Sequence, residues 1–218
     1  MIPIASKLAL SIAAVVLAGA AWANPIHFDE SWREQGFLRL WSNDYSFQGG
    51  RLKVRSEGTV SLLWRGVESV LGNSDRAHWS WTVEQGVPAT DLQTKGGDDR
   101  NLAVYFVFVD PETASKLTRG TARRLLQNPS AHALVYVWGG DHETGSVLQS
   151  PYHPKLVSYI LRPAGVGKFD ESVDLKADFL AAFGEAKGVL VGLGISADSD
   201  DTDGQIMAWI ENFELSNR

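Results

Sequence analysis

GVLVGLGISADSDDTDGQIMAWI, residues 188–210, is an apolar run that climbs to Ala197 and then drops four aspartates into six residues: Asp198, Asp200, Asp201 and Asp203. Alternation in the run places Val189, Val191, Leu193 and Ile195 on one face and Leu190, Gly192, Gly194 and Ser196 on the other. That is a strand covered on both sides. Asp198 and Asp200 extend the second face if the strand continues. Glycine weakens a strand, so two in alternation mark a place where something approaches the backbone closely. A shallow trough ending in two carboxylates could grip a ligand or a cation. A packed helix on the glycines and a solvated acidic turn account for the same residues equally well.

Period two also dominates the rest of the chain. RLKVRS (51–56) sets Leu52 and Val54 against Arg51, Lys53 and Arg55, a half-buried strand with a wet face. TVSLLWR (59–65) follows across Glu57-Gly58 with Val60, Leu62 and Trp64 on one face, and the turn residues around it predict a β-meander. AHWSWTV (77–83) joins Trp79, Trp81 and Val83. NLAVYFVFV (101–109) is apolar on both faces and reads as a central strand. AHALVYVWGG (131–140), KLVSYIL (155–161) and IMAWIENFEL (206–215) complete the set.

Two segments read as helix. PETASKLTRGTARRLLQN (111–128) opens on Pro111 and Glu112, good first-turn residues, and Gly120 divides it into two short pieces. DLKADFLAAFGE (174–185) puts Leu175, Phe179, Leu180 and Phe183 on one stripe and ends at Gly184, a natural C-cap. Short strands, frequent turns and only two short helices predict a mainly β protein, an antiparallel β-sandwich of jelly-roll kind.

The N-terminus predicts export. Lys7 precedes LALSIAAVVLAGA, too short an apolar segment for a comfortable membrane span, and Ala21-Trp22-Ala23 is a small-x-small cleavage pattern. Residues 1–23 read as a secretory signal, leaving 24–218 as one sandwich domain. With no cysteine in the chain, a lipid-anchored cysteine, a disulfide scaffold and a thiol enzyme are all excluded. A formal charge of −6 without a basic patch argues against nucleic acid as a partner. No other apolar run could span a bilayer.

Candidate chemistry gathers on acids and aromatics. ISADSDDT matches the strand-then-D-x-D-x-T loop of haloacid-dehalogenase-like phosphatases, but that loop leaves the first strand of a Rossmann-like sheet, and only sixteen residues follow Thr202. An EF-hand fails because Gly204 would make Ser199 the first ligand and Ile210 the last. A looser calcium site suits the hard oxygens of Asp198 and Asp200. In TKGGDDRN (94–101), one of Asp98 and Asp99 is expected to fix the turn and the other to sit in a cleft beside Arg100 or Lys95. Trp79 and Trp81 are expected in the core. Tyr136 and Trp138 are the better sugar-stacking platforms, since Ala133, Val135 and Val137 already supply a core face. The five histidines are scattered without ligand spacing, and no G-x-S-x-G, H-E-x-x-H or P-loop occurs.

WSWTV, KGGDD, VYFVF, LVYVWG, DFLAAFG and ADSDDT, in this order from Trp79 onward, resemble a bacterial secreted family known as domain of unknown function 3047. The resemblance implies a periplasmic or secreted β-sandwich similar to galactose-binding-like jelly rolls, and brings no established activity. Two positions depart from its pattern: Ala103 stands where it leads one to expect Arg, and Val173-Asp174 where it leads one to expect Arg-Asn.

The leading expectation is a non-catalytic periplasmic binding module for a glycan or other polyhydroxylated ligand. Tyr136 and Trp138 would stack on it, and Asp98, Asp99, Arg100, Asp198 and Asp200 would hold its hydroxyls or one calcium ion. The rivals are a glycoside hydrolase or lyase using Asp99 and Asp198, whose carboxyls would stand about 5 to 9.5 Å apart, and an envelope assembly protein with an exposed apolar patch.

Overall fold

In the computed structural model, residues 23–37, 40–117, 125 and 128–217 are described. The secretory signal expected at residues 1–23 falls almost wholly outside them, as does most of the second piece of the 111–128 helix. The described strands are β1 (Ala23–Pro25), β2 (Arg33–Gly36), β3 (Asp44–Gln48), β4 (Arg51–Glu57), β5 (Val60–Gly66), β6 (Arg76–Gln85) and β7 (Arg100–Val109). They continue with β8 (His132–Trp138), β9 (Val147–Gln149), β10 (Leu156–Arg162), β11 (Gly167–Asp174), β12 (Val189–Asp198) and β13 (Gln205–Ser216). The helices with described bounds are α1 (Pro111–Lys116) and α2 (Leu175–Phe183). No helix among the described residues is long and apolar enough to cross a membrane.

The strands form the expected sandwich. One sheet runs β11-β6-β13-β4-β3, with β1 also paired to β13; the other runs β2-β5-β12-β7-β8-β10-β9. Among the described residues every pairing is antiparallel except β8 with β10, which is parallel, β9 pairing antiparallel with β10 on its other side. β7 lies at the centre of its seven-stranded sheet, as its two apolar faces predict.

The predicted meander is not formed. β4 keeps its wet face but joins one sheet, while β5 joins the other, so Glu57-Gly58-Thr59 crosses between layers. Side-chain hydroxyls decide this. Ser56 Oγ lies 2.7 Å from Ser199 Oγ, and the Ser199 N–H donates to the Thr59 carbonyl at 3.1 Å, tying the link to the end of β12. Gly58 adopts φ +60°, and a Cβ there would meet Asp203 Oδ1 at 2.6 Å.

The core between the sheets is aromatic. Trp79 is completely buried, with the rings of Trp81, Phe106, Tyr136 and Phe213 at centroid distances of 5.5 to 6.1 Å. Trp81 and Val83 share its face, as alternation predicts. The Trp81 indole N–H donates to Glu171 at 3.0 Å, and Arg162 Nε donates to the same oxygen at 2.9 Å, so a buried polar group is satisfied at the sandwich edge.

Tyr136 and Trp138 are not platforms. Each is 1 % exposed and belongs to this core, while Val135 and Val137 face the opposite way. All seven residues of β8 except His132 are buried, so alternation separates the faces without saying which is inner. The large rings fill the wide inter-sheet space, and the small residues remain for the outer face.

Pro111 opens α1 and Gly184 closes α2 as expected, and an aspartate not foreseen from sequence caps the N-terminus of each. Asp110 Oδ1 accepts from the Thr113 N–H at 2.9 Å with Pro111 in the first turn. Asp174 Oδ1 accepts from the Ala177 N–H at 3.0 Å, and Gly184 ends α2 at φ +71°. α2 buries Leu175 and Phe179, with Phe179 5.2 Å from Phe108 between ring centroids. Leu180, placed on the same stripe by spacing, is exposed. Val173 is a core residue and Asp174 a cap, so the pair serves packing and helix initiation.

Candidate functional site

A groove of about 610 Å³ crosses the outer face of the seven-stranded sheet. Its floor is built from one face of each strand: Val60, Leu62 and Trp64 from β5, Gly194 and Ser196 from β12, Tyr105 and Val107 from β7, and Val135 and Val137 from β8. The trough expected over the glycines is filled by the protein itself. A Cβ at Gly192 would lie 2.4 Å from the Trp64 ring, and one at Gly194 would lie 2.9 Å from Leu62 and 3.2 Å from Tyr105. The face assignment in β12 changes along its length, because register shifts occur between Leu190 and Gly192 and between Ser196 and Asp198. Leu190, Leu193, Ile195 and Ala197 therefore face the core.

The polar end of the groove is assembled by the β7–β12 register, which sets Arg100 opposite Asp198. Arg100 Nη1 donates to the Asp98 carbonyl at 2.9 Å and lies 3.3 Å from Asp98 Oδ2 and 3.1 Å from Asp198 Oδ2. Arg100 Nη2 donates to Tyr105 Oη at 3.0 Å, and Tyr105 Oη lies 3.2 Å from Ser196 Oγ. The Tyr152 hydroxyl donates to Asp98 Oδ1 at 2.6 Å. One guanidinium thus bridges two carboxylates in a poorly hydrated corner. Burial pushes the Asp198 carboxyl up to about 9, against the pull of Arg100 and reinforced by Asp200. Burial and the hydrogen bond to Asp98 push the Tyr152 hydroxyl up to about 12.

The two members of the Asp98–Asp99 pair divide as expected. Asp98 lies in the groove with Arg100 as its partner. Asp99 is completely buried and fixes the turn of residues 201–202: Oδ1 accepts from the Asp201 N–H at 3.2 Å, and Oδ2 accepts from the Thr202 N–H at 2.8 Å and from the Thr202 hydroxyl. Asp99 therefore does not line the groove, and an Asp99–Asp198 pair acting on a glycosidic bond is not available. Asp98 and Asp198 do share the groove, but the Arg100 guanidinium stands between them, where a glycosidic oxygen or a water would have to sit.

Asp200 and Asp201 also line the groove. One carboxylate oxygen each from Asp99, Asp200 and Asp201 lie within 4.8 Å of one another. Asp198, the other expected cation ligand, stands outside this triple with one oxygen on Arg100. Ala103 is fully buried in a small apolar cluster with Leu92, Val137 and Leu148, so it contributes packing and no charge.

The aromatic contribution comes from residues that alternation did not select. Tyr152 is 58 % exposed and Phe37 44 % exposed, and both line the groove with Tyr105 and Trp64. Tyr152 lies in the connection between β9 and β10, residues 150–155, and no local pattern ties it to Asp98, 54 residues earlier.

Fold and site together define a jelly-roll β-sandwich with a groove across the outer face of its larger sheet. The chain belongs to the family described as "Protein of unknown function (DUF3047)", whose model matches residues 30–214. Comparison with curated proteins finds no match. Among solved structures, the chain is similar to a cellulase derived from that of Rhodothermus marinus, with 12 % identity, a TM-score of 0.49 and coverage of 90 % of this chain and 96 % of the other. The xyloglucanase domain of an effector from Sinorhizobium fredii gives 10 % identity, a TM-score of 0.46 and coverage of 88 % and 98 %. A family 11 xylanase from Neocallimastix patriciarum gives 12 %, 0.44, 92 % and 97 %.

Proposed function

We propose that this chain is an exported, non-catalytic binding protein for a glycan or similar polyhydroxylated ligand, which it takes in the groove of its seven-stranded sheet. One observation carries the reading: an apolar trough with exposed Tyr152 and Phe37 ends in the convergent polar set Asp98, Arg100 and Asp198. Flat rings stack on the apolar faces of sugars, and fixed carboxylates and a guanidinium order their hydroxyls. Arg100 holds its carboxylates in place before any ligand arrives, which lowers the ordering cost of binding. The same bridge separates the acids that hydrolysis would need, so binding is favoured over cleavage. Export rests on the apolar N-terminal segment and the Ala21-Trp22-Ala23 site. Cleavage after Ala23 would leave Asn24 and Pro25 paired with Leu215 and Glu214.

A glycan array followed by calorimetry, with and without calcium, tests the reading. Tyr152→Ala is expected to abolish or strongly weaken binding while the chain stays folded, its stability falling by up to about 3 kcal/mol for the lost hydrogen bond to Asp98. Silence across the array and in calorimetry sinks it.

A further inference from the structure

We propose that the groove takes an uncharged glycolipid, its hydrocarbon chain lying on the strand floor and its sugar head at Asp98 and Tyr152. This rests on the glycan reading and names the class of ligand within it. The floor sets the tail. Leu62, Val107, Val135, Val137 and Leu148 line the groove, and none is more than 8 % exposed. Anything lying against them is out of water. Their side chains offer no hydrogen-bonding group, and the backbones of β5, β7, β8 and β12 are paired within the sheet. Sugar hydroxyls placed there would lose water without gaining partners, which is unfavourable. Branched aliphatic side chains also lack the flat face on which a sugar ring stacks. A run of methylenes has the opposite balance, since every contact removes apolar surface from water and leaves nothing unpaired.

The polar end sets the head. Along β7, Arg100 and Val107 stand seven residues apart, about 23 Å at a strand's rise of roughly 3.3 Å per residue. Head and tail therefore meet different ends of one groove. Tyr152 is the most exposed ring lining it, and its hydroxyl rests on Asp98 Oδ1, so the stacking surface stands beside fixed acceptors. Asp98, Asp198, Asp200 and Asp201 line this end, and Arg100 is the one Lys or Arg among the described residues lining the groove. The Arg100 guanidinium already meets Asp98, Asp198, Tyr105 and Ser196. No cationic donor is left for a phosphate or carboxylate head, and the surrounding acids repel one. Hydroxyls suit the same acids, because they donate to carboxylates. The volume of about 610 Å³ lies within the range of pockets that enclose small molecules.

The test is calorimetric titration of hexyl, octyl and decyl maltoside into the full chain, each below its micelle concentration. Maltose, decyl phosphate and decyltrimethylammonium are the comparisons. The expected result is one decyl maltoside per chain, with affinity rising about fourfold for each added methylene. Decyl phosphate, with the same tail, is expected to bind about tenfold more weakly or worse. Val107→Phe and Val135→Phe fill the floor from two strands, and each is expected to weaken decyl maltoside by about tenfold or more. Thermal unfolding of each variant without ligand identifies one that misfolds, and the chain-length series needs neither. A series that is flat in chain length overturns the proposal, as does maltose binding as tightly as decyl maltoside. So does unchanged affinity in both folded variants. Glycan binding with a flat series removes the lipid tail and leaves the glycan reading standing. Chain-length dependence with decyl phosphate or decyltrimethylammonium binding as tightly as decyl maltoside removes the sugar head, and both readings with it.

Discussion

Replacing Arg100 with Met tests whether the polar end of the groove is a prestressed clasp. The guanidinium is 15 % exposed at its side chain and lies within 3.3 Å of two carboxylates, one of them 9 % exposed. An exposed ion pair would be worth about 0 to 1 kcal/mol. Removing one partner of a buried pair instead costs about 3 to 5 kcal/mol, because the other charge remains without compensation. The Asp98 carboxylate would then be left without its countercharge, and Tyr105 Oη would lose its Nη2 donor. The expected loss is therefore about 3 kcal/mol, against total stabilities of roughly 5 to 15 kcal/mol for proteins of this kind. Adding Asp98→Asn removes the orphaned charge and should recover about 1.5 kcal/mol or more, so the two substitutions are strongly non-additive. Urea unfolding at pH 7, followed by fluorescence of the buried Trp79, Trp81 and Trp138, measures all four corners of the cycle. A loss below about 1 kcal/mol for Arg100→Met, or additivity within about 0.5 kcal/mol, refutes the reasoning.

Other perturbations probe the scaffold. Lys187 is 7 % exposed at its side chain and 3.6 Å from Asp75, and burial holds its ammonium below the usual lysine range. Between its folded pKa and 10.5 the unfolded chain binds more protons, so stability from this group rises with pH across that window. Lys187→Met should accordingly raise the unfolding temperature at pH 7, and the gain should shrink as pH approaches 10.5; a gain that grows with pH would contradict this. Trp79→Ala should cost about 3 to 5 kcal/mol and lower the unfolding temperature by roughly 10 °C in a calorimetric scan. At Gly184 the added methyl of Ala meets open space, so any destabilisation measures the φ +71° backbone alone, about 1 to 2 kcal/mol by denaturant titration.

Much of the architecture could be read from local pattern. Strict alternation marked β4 and β6, and Trp79, Trp81 and Val83 point inward together as it requires. Gly184 and Pro111 marked helix ends by their backbone chemistry, whereas the capping roles of Asp110 and Asp174 appeared only in the structure. The edge strands β1, β2 and β3 and the short β9 carry few apolar residues and gave no such signal. In the site, the acids flanking β7 and β12 were visible as candidates, whereas Tyr105 and Tyr152 were not. A tyrosine inside an apolar strand and one in a proline-bounded loop look the same whether or not an arginine or aspartate waits across the fold.

Composition and period two by themselves determined a sandwich of two sheets, its tryptophan core and an acidic turn closing a buried strand. Tertiary structure alone decided that β4 and β5 part into different sheets, that Tyr136 and Trp138 look inward, and that Asp99 locks the turn while Asp98 enters the groove. The reason is that a repeat of two distinguishes the sides of a strand but not which of two apolar surroundings each side meets. That choice depends on partners such as Ser199 for Thr59 and Thr202 for Asp99, more than a hundred residues away along the chain.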